Sequence, residues 1–130
     1  MKIGIISDTH NNTKNIQRAV NIFKENNVDY VLHAGDIIST KSATLFSRLQ
    51  AKLIAVYGNC DHDPALKTAI ASFGGEIFEK CFNGKIQNRN IHMTHIPRRV
   101  ELLAESGNHD LIIFGHSHMQ EIKWINSTLL

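Results

Sequence analysis

Seven residues carry side chains able to bind a cation, and each follows an apolar run. Asp8 and His10 come after residues 3–6, Asp36 after 28–34 and Gly35, and Asn59 after 53–57 and Gly58. His95 closes the strand-like stretch 76–94, and His116 and His118 follow 110–114 and Gly115. Short apolar runs that end in polar residues read as buried strands. In open α/β sheets, ligands bind beyond the carboxyl ends of the strands. Five strand ends therefore offer oxygen and nitrogen donors to one crevice. The i, i+2 spacing of Asp8 with His10, and of His116 with His118, directs both members of a pair to one centre if the backbone turns there. Gly35, Gly58 and Gly115 each precede a candidate ligand and permit a tight turn with close backbone approach. A lone DxH triplet or Gly-His pair occurs often by chance, so the weight lies on the joint pattern. Eight histidines in 130 residues sharpen it, since histidine is the commonest metal ligand.

The elements that must position these donors follow from periodicity. Ile16, Ala19, Val20 and Phe23 recur at i, i+3, i+4, i+7, which predicts an amphipathic helix over residues 13–26 with Asn12 or Thr13 as its N-cap. A second helix is expected over 43–49 with Leu45, Phe46 and Leu49 inward. Pro64 opens a third, carrying Leu66, Ala69, Ile70 and Phe73 and stopped by Gly74-Gly75. Strands alternating with helices at this spacing argue for parallel pairing with helices on the sheet faces, an α/β fold. Residues 76–94 lack helical period and carry turn candidates at Asn83-Gly84 and Asn88-Arg89-Asn90, so antiparallel strands are expected there. A short helix over 97–106, a strand over 110–114 and a last strand over 119–125 complete the reading.

Composition narrows the class. The length suits one domain spanning 1–130. Fourteen Lys plus Arg against twelve Asp plus Glu are scattered, so nucleic acid is not indicated. No apolar run reaches the roughly 18 residues of a membrane span. Cys60 and Cys81 form no CxxC pair and no leader opens the chain, which reads as a reduced, cytoplasmic protein.

Asp8-Thr9-His10, Gly35-Asp36, Gly58-Asn59, Thr94-His95 and Gly115-His116-Ser117-His118 together resemble the five ordered motifs of the calcineurin-like metallophosphoesterases, most of all the small single-domain bacterial and archaeal phosphodiesterase branch. The resemblance implies an α/β/β/α sandwich of mixed sheets flanked by helices. It also implies two divalent metal ions, with Asp8, His10 and His118 on one, Asn59, His95 and His116 on the other, and Asp36 bridging. Charge agrees with this: two cations bring four positive charges, Asp8 and Asp36 remove two, and the remainder suits a bridging hydroxide and a phosphate. Mixed imidazole, carboxylate and amide ligation suits manganese, iron, nickel, cobalt or zinc and does not choose among them; manganese is the expected metal. Asp36, Asn59 and His95 would act through the metal-bound hydroxide on a small phosphoester, a phosphodiester before a monoester.

The chain departs from the family pattern in three places. Cys60 stands where many relatives have a histidine that helps the leaving group depart, and His62 is a candidate substitute. Ile96-Pro97 replace the Gly-His of the usual THGH, with Arg98 or Arg99 as possible phosphate contacts or simply a solvated helix end. The chain also stops before the usual C-terminal strands, so a shortened sheet with an exposed edge is expected, open to pairing with a second copy. His33 reads as a hydrogen-bonded structural histidine near the site; His92 and His109 carry no assigned role. The rival reading is a catalytically weak or inactive metal-binding scaffold for protein partners, like the retromer subunit of similar fold.

Overall fold

The computed structural model describes all of residues 1–130. Its first half is a βα alternation. Strand β1 (Ile3–Ile6) leads to helix α1 (Thr13–Glu25), which starts where the Asn12 side chain accepts the Asn15 N–H. Ile16 and Val20 form the buried face of α1, as its period requires. Strand β2 (Tyr30–His33) is followed by α2 (Thr40–Leu45), whose cap is the Ser39 hydroxyl accepting the Ser42 N–H. A 3-10 turn (Phe46–Arg48), β3 (Lys52–Val56), α3 (Leu66–Ala71) and β4 (Glu76–Phe78) complete this half. The strands form one parallel sheet in the order β1-β2-β3-β4.

The second sheet has the order β5-β6-β7-β9-β8, built from β5 (Cys81–Ile86), β6 (Arg89–Thr94), β7 (Leu111–Ile113), β8 (Trp124–Ile125) and β9 (Thr128–Leu129). Helix α4 (Val100–Glu105) connects β6 to the parallel β7, whereas β5 and β8 pair antiparallel with their neighbours.

Side-chain alternation along the strands sorts the layers. Val31, Leu53 and Ala55 pack on the helical side with Ile16, Phe46, Leu66 and Ile70. Leu32, Ala34, Ile54 and Val56 point the other way, against Ile86, Ile91, Met93 and Ile113 of the second sheet. Ile112 faces outward again, beneath Val100 and Ala104 of α4. The layers are therefore helix, sheet, sheet, helix, as expected. Each fully buried Leu or Ile contributes about 1.5–3 kcal/mol, and this double core fixes the strand ends level with one another. Ile6 lies beside His33 and His33 beside Ala55, so Asp8, Asp36 and Asn59 sit just past neighbouring ends. In the other sheet Met93 lies beside Ile113, which brings His95 and His116 to the same rim.

Four local expectations need correction. Strand β4 pairs parallel with β3, since Gly74-Gly75 return the chain along the sheet edge after a helical crossover; only β5 and β6 form the expected antiparallel pair. Asn83-Gly84 is no turn: it lies inside β5 opposite His92 and Ile91, and the chain reverses at Gln87-Asn88, with Gln87 at φ +51°. Helix α4 begins at Val100 rather than Pro97, because Arg98 N–H bonds back to Ile96 and Arg99 takes φ +60°. Of residues 119–125 only Trp124–Ile125 is strand, since β9 is too short to pair with the rest. No helix is long and apolar enough to cross a membrane.

Candidate metal centre

The loops after the strands are laced to one another through the backbone. Asp8 N–H donates to Gly35 O at 2.9 Å and His10 N–H to Asp36 O at 2.8 Å, tying the β1 loop to the β2 loop. Beneath them lies His33, fully buried. Its Nδ1 accepts the Gly35 N–H at 3.1 Å, so the proton is on Nε2, which donates to Thr9 Oγ1 at 2.9 Å. Burial pushes the His33 pKa down to about 3 and keeps the ring neutral. This supports the reading of His33 as a structural histidine and gives it a task, holding the two loops at a fixed separation.

Each of the two anionic donors commits one oxygen to the scaffold and turns the other inward. Asp8 Oδ2 accepts from Ser7 Oγ at 2.6 Å and from the His116 N–H at 3.0 Å. Burial opposes ionisation of Asp8, but these hydrogen bonds, with His95 and His118 nearby, outweigh it and hold the carboxyl below the usual carboxylate range. Asp36 Oδ1 accepts the Cys60 N–H at 3.0 Å, while Oδ2 lies 3.7 Å from His10 Nε2 and 3.4 Å from His95 Nε2, facing both sets of donors. Asp8 Oδ1 lies 3.3 Å from His118 Nε2 and 3.9 Å from His95 Nε2.

His95 is buried with its Nδ1 2.7 Å from Ala34 O, so Nδ1 carries the proton and Nε2 presents a lone pair. That lone pair faces Asn59 Oδ1 at 2.9 Å, and His116 Nδ1 lies 3.0 Å from the same oxygen. Two acceptors at this distance repel unless a proton or a cation is shared. Two ligands about 2.1 Å from a cation and at right angles to each other are about 3.0 Å apart, so the spacing is that of a coordination edge.

The donor set fits divalent cations on a further count. Asp8 Oδ1 and His10 Nε2 are buried polar atoms without any hydrogen-bond partner, a costly condition unless a ligand satisfies them. Asp8, His10 and His118 form one compact donor cluster, and Asp8, Asp36 and His95 form another. Asp8 thus lies near both groups, while Asp36 Oδ2 is the carboxylate oxygen turned between His10 and His95.

Five of the seven donors, Asp8, His10, Asp36, His116 and His118, take positive φ between 47° and 73°. Asp and His tolerate this region better than most residues, and such conformations gather at functional sites. Glycines supply the space. A Cβ at Gly58 would fall on the Asp36 carboxylate and backbone N, and one at Gly115 on Ser7 Oγ and Asp8 Oδ2.

The other candidates are less involved. Cys60 lies beside Asn59, whose Nδ2 donates to Sγ at 3.4 Å; burial first, then Asp36 and Asp61, push its thiol up. His62, Arg98 and Arg99 are exposed, and their side chains make no hydrogen bond or ion pair. Sequence reasoning missed Asp61. Its Oδ2 accepts the N–H groups of Asp36 and Gly58, and its Oδ1 that of Ile38, clamping the β2 and β3 loops together. No local signal marks this role, since Asp61 is one more carboxylate after Gly58-Asn59-Cys60 until its burial and partners are seen.

The family model of the calcineurin-like phosphoesterase superfamily domain matches residues 1–130. A phosphodiesterase of Methanocaldococcus jannaschii is 34% identical over 134 residues, an alignment that spans 100% of this chain and 81% of that protein. The structure resembles a solved archaeal phosphodiesterase with a TM-score of 0.91 and 34% identity, covering 99% of this chain and 81% of the other. A phosphoesterase from E. coli shares the fold at TM-score 0.73 and 18% identity, over 99% of this chain and 76% of its own. Motifs, layers and donor geometry point the same way as these likenesses: the chain belongs to the calcineurin-like phosphoesterase superfamily.

Proposed function

We propose that the chain is a divalent-metal-dependent phosphodiesterase working through a dinuclear centre. Asp8, His10 and His118 would hold one cation and Asn59, His95 and His116 the other, with Asp36, whose Oδ2 is turned between His10 and His95, serving both. The observation that carries this reading is the inward convergence of donor atoms with no other partner, above all Asp8 Oδ1 and His10 Nε2. Divalent cations held there would supply Lewis-acid activation of water and of the phosphoryl group.

The protein's own part is positional. Asp61 and His33 fix the loops, Ser7 and the Cys60 N–H orient the two carboxylates, and Ala34 O sets the His95 tautomer. The 34% identity to a phosphodiesterase supports a diester over a monoester. Manganese is the first metal to test, although the mixed nitrogen and oxygen set accommodates nickel, zinc, iron or cobalt as well, and the free thiols of Cys60 and Cys81 suit the reducing cytoplasm. The scaffold alternative is disfavoured because all seven donor residues are present.

The deciding experiment strips the metal, restores manganese, nickel or zinc singly, and follows an aryl phosphodiester and the matching monoester in wild type and Asp36→Asn. Diester turnover that returns with metal and vanishes in the variant is expected. Metal binding without turnover of either ester would transfer the case to the scaffold reading. As a companion proposal, two copies pair along the β8 edge, where Trp124 is 67% and Ile122 72% exposed. Light scattering that finds only monomer at high concentration removes it.

A further inference from the structure

The buried side-chain nitrogens and oxygens that lack a hydrogen-bond partner are four: Asp8 Oδ1, His10 Nε2, His92 Nδ1 and His109 Nδ1. The first two belong to the metal centre. The other two belong to a pair of histidines on the outer face of the second sheet. His92 alternates with Ile91 and Met93 along β6, so it points away from the core between the sheets and toward the α4 side. Asn83 faces it across the β5–β6 pair, and His109 comes from the loop between α4 and β7. The two rings stand edge to face, 5.5 Å between centroids.

Ring spacing alone would not make a site, since His33 and Phe46 pack at the same distance. The state of the nitrogens separates the cases. His109 Nε2–H donates to Asn83 Oδ1 at 3.1 Å, which fixes the tautomer and leaves a lone pair on the buried Nδ1. A ligand histidine ordinarily has its second nitrogen held by an outer acceptor in this way. His92 is 9% exposed, and burial first, then His109, lowers its pKa, which favours its neutral ring. Its Nδ1 meets no donor. Leaving two such atoms buried and unpaired costs free energy that a shared cation would recover. The histidine pairs of the metal centre have the same disposition, His10 with His118 at 5.4 Å and His95 with His116 at 5.3 Å.

We infer that His92 and His109 form a second cation site, separate from the phosphoesterase centre, with their Nδ1 atoms as donors and Asn83 orienting His109. Two neutral imidazoles without a carboxylate select a borderline transition ion such as zinc, nickel or copper over magnesium or calcium. With no anionic ligand the site is weaker than the main centre, and water completes its coordination.

The test is a zinc titration of the full chain followed by the ring-nitrogen NMR signals of every histidine. The Nδ1 signals of His92 and His109 should shift together and saturate. His109→Gln should abolish the response of His92, and Asn83→Ala, which leaves both rings in place, should weaken zinc at this pair by about 10–100-fold. Neither variant should alter the response of His10, His95, His116 and His118, so a failure of the main centre would be seen separately. If the His92 and His109 nitrogens stay unmoved up to millimolar zinc, or respond equally in Asn83→Ala, the second site is wrong.

Discussion

The carboxylate of Asp61 accepts the backbone N–H of Asp36 at 2.9 Å. It also accepts Gly58 N–H at 2.7 Å and Ile38 N–H at 2.6 Å, so one side chain sets the spacing between two ligand-bearing loops. Asp61→Ala strands three donors, and each unsatisfied buried donor costs about 1–3 kcal/mol. The expected loss is about 3 kcal/mol or more in urea unfolding under chelator, with manganese bound about 10–100-fold more weakly. Unchanged metal affinity in Asp61→Ala would show that the clamp does not position Asp36.

Gly58 and Gly74 make a contrasting pair. A methyl group at Gly58 collides with the Asp36 carboxylate, whereas one at Gly74 meets nothing and suffers only from its φ of +83°. Gly58→Ala should retain its far-ultraviolet circular dichroism yet lose about 10²-fold or more in kcat/KM, the scale of a 1 Å misplacement. Gly74→Ala should lose about 1 kcal/mol of stability with its activity intact. Equal activity losses in the two variants would contradict the proposed role of Asp36.

His33 predicts a pH dependence of stability. Its folded pKa is about 3 against 6.5 for the free side chain, so between these values the unfolded chain binds the extra proton. Stability is therefore complete above about pH 6.5 and falls as the pH drops toward 3, by on the order of 3–5 kcal/mol over the full window. His33→Asn keeps an acceptor for the Gly35 N–H and removes the titration. Urea midpoints at pH 7.5 and 5 should differ less in the variant than in wild type; identical differences would exclude His33 as the cause.

Cys60 predicts a leaving-group effect. Its thiol, held up by burial and then by Asp36 and Asp61, is a poor proton donor to an alkoxide. Cys60→His should raise kcat/KM for an alkyl phosphodiester by about 10-fold or more, within the range of general acid catalysis, and leave an aryl diester nearly unchanged. A uniform change in both would mean that position 60 affects binding and not departure of the leaving group.

Much of the site was legible in the sequence because its signals are local. Short apolar or strand-like runs read as buried strands, and a carboxylate, amide or imidazole one or two residues beyond each run marked its end. Helix α1 and its Asn12 cap were legible for the same reason. Where local signals misled, a distant partner had decided. Asn83-Gly84 has turn chemistry, yet pairing with Ile91 and His92 keeps it in a strand. Strand β4 could not be oriented until β3 was seen beside it.

The sequence by itself determined the chemistry available to this protein: two carboxylates, four imidazoles and an amide, each at the end of an element, in an order that marks the superfamily. Only the tertiary structure decided which atoms are free to use it. The His116 N–H that orients Asp8 comes from 108 residues away, and Ala34 O, which sets the tautomer of His95, from 61. It alone also set the positive φ of five donors, the Asp61 clamp and the unpaired nitrogens of His92 and His109. Hydrogen bonding and burial act between chain segments that only folding brings together, and no local pattern of residues records them.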